Sequence, residues 1–382
     1  MFRHTISLGR IFGIRVDLDY SWFLIVGLLT WVLAAEYYPA QFHDWSSGEY
    51  WVMGFATAVM LFVSVLIHEM GHSLVANRLG IPVPRITLFI FGGVSEIATE
   101  PPSASSEFAM AIVGPLVSFG LAALFWELEP VVAFSSPLLA MFEYLALLNL
   151  VLGVFNLIPG FPLDGGRVLR ALVWRFTGNY HRSTAVAAGT GRFFGFILIF
   201  FGIWRILSGD FLNGLWIAFI GWFLESAAGS ILQQEGLKSL IGEHRVADAM
   251  KRDFPRVSSD VTIQDLIDKY VLPAGSRYFI VDTTNGPGGM VTLSGIKEKP
   301  RESWPQTRVS QVMVPVGRLD TIRPDARLWS AVEKMGRDGV NQLPVVDDGQ
   351  GIVGVLSRDD LVHYLNVLRS FAAYPAPTEK RH

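Results

Sequence analysis

The sequence predicts a polytopic α-helical membrane domain with about six transmembrane helices and a short β hairpin after the second, followed by a soluble α/β domain. Three observations carry that prediction. Of 382 residues, 51% are hydrophobic and only 17% charged, against about a quarter charged in an ordinary soluble domain. Nearly all of the apolar excess lies before about residue 235. The rest of the chain has soluble composition and repeats one pattern twice.

Six apolar runs are read as crossing a hydrocarbon core that takes about 20 helical residues. They are Tyr20 to Ala35, Trp51 to Val75, Phe108 to Leu124, Leu138 to Leu157, Phe193 to Leu207 and Leu212 to Leu224. Basic residues in the connections set the orientation, because Lys and Arg stay on the cytoplasmic side. Arg3, Arg10 and Arg15 precede the first run, Arg78 and Arg85 follow the second, and Arg167, Arg170, Arg175 and Arg182 follow the fourth. The alternate connections hold Glu36, Asp44 and Glu49, then Glu127 and Glu129, without a basic residue. Arg205, near the outer end of the fifth run, is an exception. Both termini are therefore expected in the cytoplasm. The first run is long and no small-residue cleavage pattern follows it, which argues against a cleavable signal peptide.

Net charge is −3, so no basic field argues for nucleic acid. Cysteine is absent, which excludes disulfides, thiolate metal sites and a cysteine nucleophile. A bound metal would need nitrogen and oxygen ligands, with eight histidines to draw on.

The second run contains VSVLIHEMGHSLVANRLG, Val63 to Gly80. His68 and His72 lie four apart, on one face of a helix. Two imidazoles, a third ligand and a water make a catalytic zinc site, and Glu69 is placed to act as base for that water. Gly71 is read as leaving room beside the second histidine. The alternative is a chance histidine pair satisfied by local hydrogen bonds. A charged side chain near mid-bilayer costs about 2.5–3.5 kcal/mol even on the cheaper scales, so intramembrane ionisable clusters are functional by default.

NLIPGFPLDGGRVLRAL, Asn156 to Leu172, offers a third donor. Pro159 and Pro162 interrupt the helix, and Gly160, Gly165 and Gly166 loosen it further. Broken backbone at membrane depth is tolerated only where protein or a watery cavity covers it. Asp164 lies in that break, within reach of a metal on a neighbouring helix; its other reading is a cap on the Arg-rich helix that follows. Between these motifs, ITLFIFGGVSEI (Ile86 to Ile97) alternates and then turns at Gly92 and Gly93, which suits an extended hairpin.

HEMGH on an early span, with Asn-x-x-Pro-x-x-x-Leu-Asp-Gly-Gly on a later one and AIVGPLVS between them, resembles the site-2 protease family of intramembrane zinc metalloproteases. The resemblance covers roughly residues 1–230. It implies one zinc ion held by His68, His72 and Asp164, Glu69 as general base, and Asn156 positioning the substrate or stabilising the oxyanion. No PDZ-like insert is visible. The soluble tail resembles the branch of the family that carries CBS domains and includes sporulation-factor proteases, placing the chain in the plasma membrane of a prokaryote.

The tail holds two diverged copies of one unit, with a period of about 60 residues. VADAMKRDFPRVSSDVTIQDLID is echoed by VSQVMVPVGRLDTIRPDARLWSAVEKM, SRYFIVD by VNQLPVVDD, and GMVTLSGI by GVLSRDDL. The pattern resembles a tandem pair of CBS domains, the adenosine-binding regulatory module, and implies ATP, ADP or AMP as ligand. Ser357 and Asp360 match the hydroxyl and carboxylate that hold a ribose in that family. In the first copy Thr292 matches, but Gly295 stands where the acid belongs, so one nucleotide site is expected rather than two. A purely structural dimerisation module is the other reading, because fold alone does not imply ligand binding; a homodimer through the CBS pair fits either.

The expected organisation is a metalloprotease domain at 1–234, a linker at 235–244, CBS domains at 245–300 and 308–368, and a disordered tail at 370–382. The expected function is an intramembrane zinc endopeptidase acting in the lipid bilayer on transmembrane or membrane-associated regulatory proteins. The edge of the 86–97 hairpin, at Phe91, Gly92 and Gly93, would hold an unwound substrate strand by backbone pairing. The competing function is a CBS-regulated ion transporter or channel, with the intramembrane His, Glu and Asp lining a pathway. A catalytically dead homologue is a third reading, which the filled ligand positions disfavour.

Overall fold

The computed structural model describes residues 5–97, 99–283, 286–347 and 351–372. The tail expected to be disordered lies, beyond residue 372, outside the described residues. The chain divides into two compact units, Met1–Glu235 and Gly236–His382.

Among the described residues six helices are long and apolar enough to cross a membrane, one for each predicted run. The first crossing joins α1 (Tyr20–Val32), a π turn (Leu33–Tyr37) and α2 (Tyr38–Gln41). The second, α3 (Ser47–Arg78), opens with a capping box in which Ser46 and Glu49 satisfy each other's backbone N–H groups. α4 (Ala104–Val132) and α5 (Ser136–Asn156) follow. Pro159 and Pro162 stop the fourth crossing, since proline has no N–H to continue the ladder. The chain restarts as a short amphipathic helix, α6 (Asp164–Thr177), which ends on Gly178 in the left-handed conformation (φ 68°). α7 (Tyr180–Leu207) and α8 (Phe211–Ile241) complete the set. α8 runs on as helix into the stretch expected to be a linker.

Glycines let α7 and α8 approach closely. A Cβ on Gly202 would stand 2.5 Å from the Ala218 backbone nitrogen, and one on Gly221 would stand 2.7 Å from the Gly195 carbonyl oxygen. Lipid tails are as apolar as side chains, so helices in a bilayer associate through such close packing.

A four-stranded sheet, in the order β1-β2-β3-β4, accompanies the helices. β1 (Thr5–Ile11) and β2 (Ile14–Asp19) form a hairpin. Its turn residues Phe12 and Gly13 both have positive φ (52° and 84°), as a primed two-residue turn requires. β3 (Arg85–Phe89) joins β2 in parallel, and β4 (Gly92–Ser95) folds back on β3. The predicted hairpin at 86–97 is therefore present, and two N-terminal strands that the sequence reading missed extend it. Ile14, Val16 and Ile86 bury this sheet against Met70 and Ala76 of α3 and Met110 of α4. β4 is left at the sheet's edge.

In the second unit, α9 (Val246–Ala249) leads into β5 (Arg256–Ser258), followed by α10 (Ile263–Leu266), a π turn and α11 (Leu272–Ala274). β6 (Tyr278–Thr283), β7 (Gly286–Thr292) and α12 (Leu293–Lys297) close the first copy. The second copy contributes β8 (Val314–Pro315), α13 (Leu328–Arg337), β9 (Gln342–Asp347), β10 (Gly351–Ser357) and α14 (Arg358–Ala372). The duplication is visible in register. β5 lies parallel to β6, and Ile322 bridges Val345 of β9 in the same sense. The copies also exchange leading segments: β8 pairs with β7, while Lys251 bridges Val355 of β10. Ile241 and Val246 accordingly bury in the core built around Leu328, Leu343 and Leu356.

Candidate metal centre

His68 and His72 sit one turn apart on α3, and Asp164 is the first residue of α6. Asp164 Oδ2 lies 3.0 Å from His68 Nε2 and 3.1 Å from His72 Nε2, and the two imidazole nitrogens are 3.2 Å apart. Ligands about 2.0–2.1 Å from a tetrahedral zinc stand about 3.3 Å from one another. This triangle has nearly that edge. These three residues form a group able to hold one metal ion.

The outward ring nitrogens show why such an ion would be wanted. His72 Nδ1 is 2.6 Å from the Met110 carbonyl oxygen. A carbonyl only accepts, so that nitrogen carries a hydrogen and Nε2 is the ring atom turned towards Asp164. His68 Nδ1 is 2.8 Å from Ser118 Oγ. Each histidine is thus oriented through its far nitrogen, as metal-ligating imidazoles usually are. Two imidazole nitrogens and a carboxylate oxygen then face one another, an arrangement that a cation held between them would satisfy.

Local sequence makes the approach possible. A Cβ on Gly114 of α4 would fall 2.1 Å from His72 Nε2 and 2.6 Å from His68 Nε2, so only glycine lets α4 pass behind both rings. Gly165 and Gly166 let the first turn of α6 fold under the preceding loop, where Cβ atoms would meet Ile158 and Phe161 backbone at 2.3 and 2.4 Å. The N-cap of α6 is Leu163, which makes no side-chain cap. The capping alternative for Asp164 therefore fails; its carboxylate goes to the histidines, at a helix N-terminus that favours negative charge. Gly71 needs a different explanation from the expected one. Its open side faces Val117 and Val113 of α4, at 3.0 and 3.4 Å from a notional Cβ, and serves helix packing.

Glu69 stands on the adjoining face of α3. Its Oε2 accepts from Ser95 Oγ at 2.7 Å, and Ser73 Oγ is 3.1 Å from Ser95 Oγ. Ser95 closes the edge strand β4, so that strand and the carboxylate are fastened together. Gly93 is pressed against the same side chain: a Cβ there would lie 2.5 Å from Glu69 Cγ. Gly92 and Gly93 pair with Phe89 and Leu88 of β3. Phe91 stands in the turn rather than in the strand, and its ring stacks 4.1 Å from that of Phe223 on α8. Asn156 ends α5, where its amide donates to the Leu152 carbonyl at 3.0 Å.

Sequence reasoning missed Ser95, Ser118 and the Met110 carbonyl. A signal existed for one of them: Ser118 lies one turn beyond Gly114 in the AIVGPLVS stretch, on the face that meets the histidines.

In the second unit, Ser357 and Asp360 are buried and satisfy each other. Asp360 Oδ2 accepts from Ser357 N at 3.0 Å and from the Ser357 hydroxyl, and Ser357 Oγ accepts from Asp360 N at 3.1 Å. Lys251 Nζ reaches Asp360 Oδ1 at 2.8 Å. Burial, with a smaller push from Asp360, raises the Tyr278 phenol to about 12. Thr292 caps α12 by accepting from Gly295 N at 3.3 Å.

Comparison with known proteins fits this geometry. The sequence model of Peptidase family M50 matches residues 56–136 and 130–201, and the CBS domain model matches 309–367. "Putative zinc metalloprotease Rip3" of Mycobacterium tuberculosis is 34% identical over 98% of this chain and 96% of its own length. The chain belongs to peptidase family M50. As an M50 peptidase it is an integral membrane zinc metalloprotease of the site-2 type with a C-terminal CBS domain. A zinc metalloprotease of Methanocaldococcus jannaschii is 27% identical over 96% of this chain and 97% of its own. The solved site-2 protease from the same organism is 29% identical, covers 60% of this chain and 95% of its own, and superposes with a TM-score of 0.42. Family membership favours the protease over the transporter or channel reading.

Proposed function

We propose that His68, His72 and Asp164 hold a single zinc ion, and that Glu69 is the general base for peptide hydrolysis within the bilayer. The observation that carries this reading is the convergence of two imidazole nitrogens and a carboxylate oxygen beside an independent carboxylate. The donor set fits the metal, since two nitrogens and one oxygen leave a fourth position open. Zinc held there supplies Lewis acidity towards a carbonyl oxygen and lowers the pKa of water towards about 7.

The chain's own residues then divide the work. Glu69 accepts the proton of the attacking water and returns it to the leaving amine. Ser95 holds that carboxylate in place until water arrives. The Asn156 amide, released from Leu152, donates to the oxyanion. A transmembrane helix hides its carbonyls in its own hydrogen bonds, so the substrate must unwind locally. The edge of β4 at Gly92 and Gly93 offers backbone groups to the unwound strand, beside the Glu69 side chain.

The substrate is a transmembrane or membrane-associated regulatory protein. The chain sits in a prokaryotic plasma membrane with both termini in the cytoplasm, as the arginine distribution supports. The CBS pair binds one adenine nucleotide per chain through Ser357 and Asp360, with Thr292 the weaker counterpart, and joins two chains as a homodimer.

Co-expression with candidate single-span proteins tests the catalytic assignment. A truncated product should appear with the wild type and disappear with Glu69→Gln, while zinc remains bound. Because general-base catalysis is worth about 10²–10⁴-fold, residual cleavage should be at most about a hundredth of wild type. Undiminished cleavage by Glu69→Gln would remove Glu69 from the mechanism.

A further inference from the structure

α4 carries the groups that orient the histidines, and α6 carries Asp164 at its first position. How far α6 sits along α4 therefore decides whether the three donors meet. The fully buried residues of α6 are small, Gly165, Gly166 and Ala171, while Leu169 is half-buried against Phe161, Ala187 and Ala188. Among the described residues no fully buried large apolar side chain keys α6 into α4.

One ion pair does connect them. Glu107, in the first turn of α4, is 1% exposed. Arg170 Nε donates to its Oε1 at 2.6 Å, and a second guanidinium nitrogen reaches the same oxygen. The remaining nitrogen lies 3.4 Å from Thr184 Oγ1 of α7. The guanidinium is also 4.9 Å from the centre of the Phe161 ring and 4.7 Å from that of Tyr180. One planar fork thus engages α4, α7 and the loop before α6. Lysine, a point charge on a flexible stem, has no equivalent.

The ends of this contact lie close to the metal centre in sequence and on rigid helices. Met110, whose carbonyl fixes His72, is one turn beyond Glu107. Asp164 precedes Arg170 by about 9 Å of helix, at 1.5 Å per residue. A buried ion pair is weak evidence for stability, because apolar residues of similar volume often serve as well; fixing register is its best-attested use. Glu107 Oε2 makes no hydrogen bond among the described residues, which again argues against optimisation for stability.

Resting on the assignment of zinc to His68, His72 and Asp164, we propose that Arg170 and Glu107 are positioning residues. Their pair sets the register of α6 against α4 and so holds the Asp164 carboxylate beside the two imidazoles.

The test compares full-length wild type, Arg170→Lys and the double variant Glu107→Leu/Arg170→Leu in detergent. Zinc affinity is read by competition with a chromophoric chelator, and kcat and KM on a single-span substrate. The double variant should elute and melt like wild type, yet bind zinc at least about tenfold more weakly, the scale seen when supports of metal ligands are removed. Its kcat should fall with KM unchanged, and Arg170→Lys should lie between the two. A folded double variant with wild-type zinc affinity overturns the inference and leaves the zinc assignment standing. If the double variant does not fold, Arg170→Lys decides, and wild-type affinity there overturns the inference. Wild-type protein that binds no zinc overturns the assignment beneath it.

Discussion

Gly114 shows how strictly single atoms constrain this centre. A methyl group there would occupy the space of both imidazole Nε2 atoms. Gly114→Ala is therefore expected to weaken zinc binding by at least about 100-fold, the upper end of effects from groups around a metal site. Metal analysis after chelator dialysis checks it, and retained zinc would contradict it. Ser95→Ala separates proton transfer from metal binding. It removes one hydrogen bond to a carboxylate, worth about 1.5–3 kcal/mol, so kcat should drop about tenfold or more with zinc content unchanged. The histidine pair was legible because helical spacing alone puts positions 68 and 72 on one face. The nearness of Asp164 to the histidines was foreseeable from the broken segment, whereas its reading as a cap was set aside only by Leu163 standing at the N-cap. Ser95 was not legible, because its partner Glu69 lies on another element and nothing local marks the pairing.

At the scale of elements, the broken segment between α5 and α6 is what brings a carboxylate to an intramembrane site. Its prolines and glycines announced the break, and the structure supplies the reason for each glycine by showing the backbone it touches. The hairpin at 86–97 was legible from alternation and its paired glycines. The two strands before it were not, because Ile6, Leu8, Ile11 and Phe12 are exposed and blur the inward–outward pattern. The α7–α8 hairpin depends on small residues for its approach. Gly202→Leu should force these helices apart and lower thermal stability in detergent. A melting temperature equal to wild type would show that the close contact is dispensable. Zinc content of the folded fraction should be unaffected, since neither helix supplies a donor.

For the whole molecule, composition alone separated an apolar portion from a more polar one, and the change falls close to the division between the two compact units. The internal duplication was legible in sequence. The exchange of leading segments between the two copies was not, because it depends on pairings between residues far apart in the chain, such as Lys251 with Val355. If Asp360 holds a ribose as proposed, the first copy, with Gly295 at the matching position, lacks the acid, so equilibrium dialysis of the full chain with ATP or AMP should give one nucleotide per chain. Asp360→Ala should abolish it. Two nucleotides per chain, or binding unaffected by Asp360→Ala, would contradict the assignment of that site.

X-ray absorption at the zinc edge on purified full-length protein tests the central claim most directly. One zinc per chain, with two imidazole nitrogens at about 2.0–2.1 Å and a carboxylate oxygen at about 2.0–2.2 Å, is the expected result. Asp164→Ala should lose the carboxylate contribution. Zinc-free wild-type protein, or a coordination shell unchanged by Asp164→Ala, would contradict it.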